Sequence, residues 1–267
     1  MSLPAPHHGP RLILLLLTTS IFHDLAAPPI QAMVLTVLHP KSVGDARDEG
    51  DLSVDVVAVH GLNGGPTKTW THPKTKSFWL QDFLPMDIPG VRVLNFSYNA
   101  DAAFGNTTAD ILDHAKDLLG SLIDKRAAPN EQNRPIMFIA HSLGGIVVKQ
   151  ALVWAHVDSQ YQSIKDHTIG IAFLGTPHRG SSKASYGKVL ANVATTLTRQ
   201  PTSRLMNTLR SNSDPLMRLT SEFKFQALNF HILSFYETKS MTVFSSLVSK
   251  PPQMGTCIGP ISCVSDC

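Results

Sequence analysis

The sequence predicts an α/β fold, a mostly parallel sheet with helices on both faces. Five apolar runs of about eight residues, rich in β-branched side chains, are near-continuous in the way typical of strands covered on both sides. Helical patterns separate these runs, and such alternation indicates βαβ units. Short loops of Gly, Pro and Asn join the elements, so one folded domain is expected.

The predicted elements follow one another in a regular order. The strands are expected at Val54–Gly61, Val91–Tyr98, Pro135–Ser142, Ile169–Thr176 and Phe230–Glu237. The helices are expected at 77–84, Thr108–Arg126, Gly144–His156, Ser185–Leu197 and Asp214–Leu228. The second helix repeats apolar residues along one face, and the last has Asp214 as its cap and Pro215 at its first position.

Composition excludes several classes of function. The 267 residues carry a net charge of +3 without a block of Lys or Arg, which does not support nucleic-acid binding. The three cysteines fall within the last eleven residues, so no disulfide framework is expected in the folded body. Their spacing, without a neighbouring histidine, does not indicate a zinc site. We therefore expect neither a metal nor another cofactor.

Residues 1–32 differ in character from the rest. The run "RLILLLLTTSIF" is about a dozen residues long, which suits a signal peptide better than a membrane span of roughly 20 residues. A cleaved signal, a membrane anchor or targeting segment, and a gene-model artefact with the natural start at Met33 are the three interpretations. The expected domains are this segment, an α/β domain over 33–240 and an irregular tail over 241–267.

The stretch "IMFIAHSLGG" places Ser142 where a predicted strand meets a predicted helix. Such a strand–turn–helix is a nucleophile elbow, which tolerates only small residues two positions before and after the serine. Ala140 and Gly144 meet this requirement, although the pattern is A-x-S-x-G and not G-x-S-x-G. The helix N-terminus favours a developing oxyanion. The alternative is a buried serine in a glycine-rich turn, without chemistry.

A second stretch, "VHGLNGG", ends the first predicted strand and favours the nucleophile interpretation. A loop of this kind supplies one backbone N–H of an oxyanion hole, and the residue after the nucleophile supplies the other. We expect these donors to be the amides of Leu62 and Leu143. His60 is interpreted as a packing residue that braces the loop.

Three stretches, "VHGLNGGPTKTWTH", "FIAHSLGGIVVKQAL" and "FLGTPHRGS", together resemble the α/β-hydrolase family of lipase-type serine esterases. Within it, the resemblance is to the subgroup that includes the serine active-site-containing protein and the GPI-inositol deacylases, in a fungal type. It covers about residues 33–239. It implies the α/β-hydrolase fold, cleavage or transfer of acyl groups, lipid-like substrates, and Ser142 as nucleophile. It also implies membrane association at the endoplasmic reticulum or mitochondrion; a cytosolic location, or secretion if residues 1–32 are a true signal, are the alternatives.

The fold places the catalytic acid and then the histidine after the nucleophile. Glu237 ends the last predicted strand and is the candidate acid, with an exposed strand-end glutamate as the alternative. Asp158 and Asp166 come too soon after the nucleophile helix. His178 is the weak candidate for the base, because it precedes any acid and the resembled family keeps this motif as a structural element at the pocket rim.

The other histidines after Ser142 have simpler interpretations. Surface roles suffice for His156 and His167, and His231 is expected in the core. No histidine follows His231, and the tail carries Pro, Gly, Ser and the cysteines without helical periodicity. We interpret this as a truncated or mis-spliced product whose general base is lost, which would leave an uncovered sheet edge.

Two functions follow from these observations. The first is a serine hydrolase that acts on lipid-type esters, with a lipid or acyl-ester substrate and a membrane surface as partners. The second is a catalytically impaired module of the same fold that binds a lipid or protein, because the histidine of the triad is missing.

Overall fold

The computed structural model describes seven separate parts of the chain, all within the unit Met33–Cys267. They are residues 34–40, 54–61, 64–100, 108–176, 178, 213–237 and 254–258. Side chains are described for these residues except 108–110, 213–217, 236–237 and 254–258. The segment 1–32 and the helix expected at Ser185–Leu197 lie outside the described residues.

A seven-stranded sheet forms the centre of the fold, in the order β1-β3-β2-β4-β5-β6-β7. The strands are β1 Val34–His39, β2 Asp55–Val59, β3 Arg92–Ser97, β4 Ile136–His141, β5 Thr168–Leu174, β6 His231–Glu237 and β7 Met254–Ile258. The pairs β3–β2, β2–β4, β4–β5 and β5–β6 are parallel, whereas β1 and β7 are antiparallel to their neighbours at the two edges. Because the five central strands are parallel, their carboxyl ends meet at one edge of the sheet.

Six α-helices lie between the strands in the described parts of the chain. They are α1 Trp79–Asp82, α2 Leu84–Asp87, α3 Thr108–Lys125, α4 Gly144–Val157, α5 Gln162–His167 and α6 Ser213–Gln226. The 3₁₀ turns are Lys68–Trp70, Ser159–Tyr161 and Ala227–Asn229. No described helix combines the length and the apolar character needed to cross a bilayer.

The sheet is buried on both faces, as the apolar runs predict. Along β2, Val57 and Val59 belong to one apolar cluster, and Val56 and Ala58 belong to another. The first cluster includes the apolar faces of α3, α4 and α6, and the second includes side chains from the segment between β2 and β3. Alternate side chains of a strand point to opposite faces, so each face has its own core.

The predicted fold class is confirmed, with corrections at the edges. All five predicted strands are present, but β1 and β7 were not predicted. The tail expected to be irregular contains β7, which pairs with β6 from Leu233 to Glu237 and covers the edge that was expected to be exposed. The unpaired backbone groups of β6 explain this pairing, since they accept a neighbouring strand whatever its side-chain pattern. The domain boundaries stay predictions.

The amino edge of the sheet is held by a buried charge cluster. Asp55, the first residue of β2, is completely buried and forms ion pairs with Arg92, Arg126 and Arg134. Arg92 binds both carboxylate oxygens, at 2.9 and 2.8 Å, and also pairs with Glu131. This cluster ties β2 and β3 to the segment before β4, at the opposite end of the strands from Ser142.

Candidate active site

Ser142 lies between the end of β4 and the start of α4, and its backbone is strained. Its φ of 52° is in the left-handed region, which non-glycine residues rarely adopt. The amide of Ser142 donates to the carbonyl oxygen of Leu174 at 2.8 Å, and the hydroxyl of Thr176 donates to the carbonyl oxygen of Ser142 at 3.0 Å. Neighbouring residues at the end of β5 therefore fix the turn.

The small residues around Ser142 allow close backbone contacts. A methyl group on Gly144 would overlap the carbonyl oxygen of His60 and lie 2.6 Å from that of Val59. A methyl group on Gly145 would overlap the side chain of Thr176. The turn is thus wedged between the ends of β2 and β5, which explains why glycine is needed there.

The Leu143 amide lies directly after Ser142, next to Gly61. Within the described residues, no backbone carbonyl accepts a hydrogen bond from it. Gly61 packs directly against this amide, since a methyl group on Gly61 would lie 3.3 Å from the Leu143 nitrogen and 2.8 Å from Ser142 Cβ. Ser142 itself is only 5% exposed, so access to its hydroxyl is narrow.

The loop after β2 begins with a well-fixed segment. The ring of His60 stacks on that of Tyr98 with centroids 4.6 Å apart, and its Nδ1 lies 3.0 Å from the carbonyl oxygen of Gly61. The same carbonyl accepts a hydrogen bond from the amide of Gly64 at 3.1 Å. These contacts agree with the bracing role expected of His60. Leu62 lies outside the described residues.

His178 is buried but is not hydrogen-bonded to Ser142. Its Nε2 lies 3.2 Å from Ser234 Oγ, and its Nδ1 has no hydrogen-bond partner among the described residues. Its ring packs edge-on against Phe173, with centroids 4.7 Å apart. Burial, and then the charge of Lys149, lower the pKa of His178 to about 2, so the imidazole is neutral. Such a low pKa makes this imidazole a weak base, and its Nε2 is already in contact with Ser234.

The candidate acids have different surroundings. Glu237 is the last residue of β6, where it pairs with Met254, and its side chain is not among those described. Asp158 caps a 3₁₀ turn by accepting from the amide of Gln160 at 3.1 Å. Asp166 pairs with Lys165 at 3.1 Å.

The histidines for which no catalytic role was expected also differ in their surroundings. His156 is exposed, and the ring of His167 is bonded to the carbonyl oxygen of Ser163 at 2.8 Å. The expectation that His231 lies in the core is wrong. It is exposed at the first position of β6, where the strand enters the sheet beside Gly170, which has no side chain to cover it.

Aromatic residues that follow the loop after β2 pack next to the end of β4. Trp70 is buried and makes edge contacts with Trp79 at 5.9 Å and with His141 at 6.3 Å between ring centroids. Burial, together with the charge of His60, lowers the pKa of His141. These contacts indicate that the tryptophans pack the fold next to the elbow.

Two residues near the site were not anticipated from the sequence. Lys149 lies on α4 and is fully buried, with Nζ 5.4 Å from the ring centroid of Phe173 and 5.8 Å from that of Phe223. Within the described part of the chain, Nζ has no hydrogen-bond partner, and burial lowers the pKa of Lys149 to about 7. Tyr98 follows β3 and donates its hydroxyl to the carbonyl oxygen of His60 at 2.8 Å. In the sequence, Lys149 and Tyr98 each stand out only as a polar residue within an apolar pattern.

Comparisons with known proteins identify a family and relatives that the chain resembles. Residues 54–248 match the family model described as "Putative serine esterase (DUF676)". Protein SERAC1 of Homo sapiens is 26% identical over 213 residues, covering 73% of this chain and 32% of the relative, and Protein SERAC1 of Bos taurus is 29% identical over 222 residues, covering 76% and 32%. The chain thus spans about a third of the length of these relatives.

Solved structures with a similar fold include a lipase and a carboxyl esterase from Bacillus species. The lipase BlEst2 of Bacillus licheniformis in its mature form has a TM-score of 0.41 and 18% identity, with 70% of this chain and 68% of that chain covered. A thermostable carboxyl esterase from Bacillus coagulans has a TM-score of 0.36 and 13% identity, with 75% and 78% covered.

Proposed function

The chain belongs to the DUF676 family and is a lipase-like α/β-hydrolase, and on that premise we propose that it is a serine hydrolase that cleaves or transfers acyl groups of lipid-type esters. In this proposal the Ser142 hydroxyl attacks the carbonyl carbon of the ester and gives its proton to a general base. The base passes this proton to the departing alcohol as the acyl-enzyme forms. Water then attacks the acyl carbon and gives a proton to the base, which returns it to Ser142 as the acid is released. The amides of Leu62 and Leu143 stabilise the oxyanion of each tetrahedral intermediate.

The observation that carries this proposal is the left-handed backbone of Ser142, with φ at 52°. A strained residue that persists at a strand–helix turn needs contacts that hold it there, and such residues concentrate at functional sites. The Leu143 amide beside it supports the oxyanion role, since no backbone acceptor in the described part of the chain uses its N–H. Gly61 packs against that amide and leads to Leu62, the other proposed donor.

The proposed acid is Glu237, because it ends the strand that follows the nucleophile helix by two crossovers. The base is not assigned, and His178 is the weak candidate. As placed, its Nε2 is in contact with Ser234, and burial makes the imidazole a weak base by lowering its pKa to about 2.

The second proposed function is a hydrolase-fold module that binds a lipid or protein without efficient turnover. The contact between His178 and Ser234 favours it, since no described imidazole is hydrogen-bonded to Ser142. Loss of the base would lower kcat by about 10⁴-fold or more, and the oxyanion hole would give only residual rates.

The substrate class and location are proposed from the resemblance. Lipid-type esters are expected as substrates, presented at a membrane surface of the endoplasmic reticulum or mitochondrion. Cytosolic and secreted locations are the alternatives. Fractionation of cells that express the full chain, before and after a carbonate wash, separates a membrane-bound from a free protein.

Labelling with a fluorophosphonate probe tests the function. The wild type should be labelled, Ser142→Ala should not, and Ser159→Ala should be labelled as strongly as the wild type because Ser159 is exposed away from the elbow. Hydrolysis of p-nitrophenyl esters by the wild type, absent in Ser142→Ala, would exclude the non-catalytic module. Equal labelling of wild type and Ser142→Ala would remove Ser142 as nucleophile.

A further inference from the structure

We propose that Tyr98 is a positioning residue for the oxyanion loop, a role that rests on the serine-hydrolase function proposed above. Tyr98 follows β3 directly, and β3 pairs with β2 so that Phe96 lies opposite Val59. The tyrosine is therefore placed beside the His60–Gly61 segment, where β2 runs into the loop. Its hydroxyl donates to the carbonyl oxygen of His60 at 2.8 Å.

The carbonyl of His60 is close both to Tyr98 and to the nucleophile turn. Tyr98 donates a hydrogen bond to its oxygen, and Gly144 approaches the same oxygen so closely that a methyl group on Gly144 would overlap it. Gly144 opens the helix that follows Ser142. The His60 peptide thus connects the tyrosine hydroxyl with the nucleophile turn, and a shift of this peptide moves Gly61 relative to the Leu143 amide.

The tyrosine is itself well anchored. It is buried, stacks on His60 and Phe96 with centroids 4.6 and 5.4 Å away, and lies 5.2 Å from the ring of His114 on α3. Burial raises the pKa of Tyr98. The hydroxyl therefore keeps its proton and stays a donor, and β3 and α3 together hold the start of the loop.

Loss of the hydroxyl should affect the transition state more than substrate binding. Tyr98→Phe keeps the stacked ring but removes the hydrogen bond to the His60 carbonyl, so the His60–Gly61 segment that leads to the proposed donor is held less firmly beside the elbow. Removing an oxyanion donor costs about 10²–10³-fold in kcat. Because a misaligned donor retains part of its effect, we expect kcat to fall about 10-fold with KM unchanged.

The test compares wild type, Tyr98→Phe and Tyr161→Phe, the last a matched change on the 3₁₀ turn after α4. Amide hydrogen exchange of the peptide 57–65, at a temperature where circular dichroism shows all three folded, should be faster in Tyr98→Phe alone. The rate of fluorophosphonate labelling and kcat for a p-nitrophenyl ester should fall in the same variant.

The outcomes are distinguishable. Unchanged exchange in peptide 57–65, or a rise in KM at constant kcat, would overturn the positioning role. If the wild type is not labelled at all, the proposed function fails and the catalytic role of Tyr98 fails with it. Faster exchange would then show only that Tyr98 holds the loop as part of the fold.

Discussion

Replacement of Lys149 by methionine should stabilise the protein at neutral pH. The ammonium group is fully buried, faces two phenylalanine rings, and has no hydrogen-bond partner among the described residues. Methionine has a similar length and no charge, so it should fill the same space without a cavity. The lysine is thus expected to cost stability that methionine restores.

The size of the effect follows from the pKa of Lys149. Burial lowers it from 10.5 to about 7. Below pH 7 the amine is protonated in both the folded and the unfolded state. At about 1.4 kcal/mol for each pH unit, the lowered pKa then corresponds to a loss of roughly 5 kcal/mol in the free energy of unfolding. Between pH 7 and 10.5 the unfolded chain binds this proton and the folded chain does not, so the free energy of unfolding rises with pH in that window.

Urea unfolding followed by circular dichroism at pH 7, 8, 9 and 10 measures both consequences. Lys149→Met should raise the free energy of unfolding by about 3 kcal/mol at pH 7 and by less than about 1 kcal/mol at pH 10. Lys74→Met, on an exposed loop, should stay within about 0.5 kcal/mol of wild type throughout. A variant less stable than wild type at pH 7, with the same pH slope, would show that the amine is charged and paired with an acid.

Two further predictions concern the fold around the site. Asp55→Ala should destabilise the protein by about 3–5 kcal/mol in urea unfolding, because it leaves the arginines at the amino edge without their buried partner. Glu131→Ala, at the exposed side of the cluster, should cost less than about 1 kcal/mol. Equal losses of stability in the two variants would contradict a central role for Asp55. Gly144→Ala should abolish fluorophosphonate labelling and lower the thermal midpoint, because its methyl group overlaps the carbonyl oxygen of His60. Gly120→Ala in α3 is the control, because an added methyl group there meets nothing within 4 Å, and it should stabilise the protein by about 0.5–1 kcal/mol. Labelling of Gly144→Ala by the probe would contradict the close packing inferred for the Ser142 turn.

The sequence predicts the centre of this fold better than its edges. The five parallel strands are apolar on both faces, so each is visible as an uninterrupted run. The edge strand β1 is covered less completely, and β7 consists of Gly, Thr, Cys and flanking apolar residues without a clear period. Edge strands are stabilised largely by backbone pairing with a neighbour, which a pattern of side chains does not encode.

Within the site, features formed by contiguous residues could be predicted from the sequence, and contacts between distant residues could not. The elbow at Ser142 is visible because the strand, the small residues and the helix are contiguous in the chain. The position of His178 against Ser234 depends on β6, which is more than 50 residues away. The contact between Tyr98 and His60 spans 38 positions. Residues that act across neighbouring strands become visible only once the strand order is known.

The hydrogen bonds that hold the Ser142 turn have a practical consequence for engineering. Ser142 is bonded to the backbone carbonyl of Leu174 and to the hydroxyl of Thr176, and its turn lies against the carbonyl groups at the end of β2. Under the proposed function, libraries that vary the crossovers between the strands should therefore alter acyl-chain selectivity without displacing the serine.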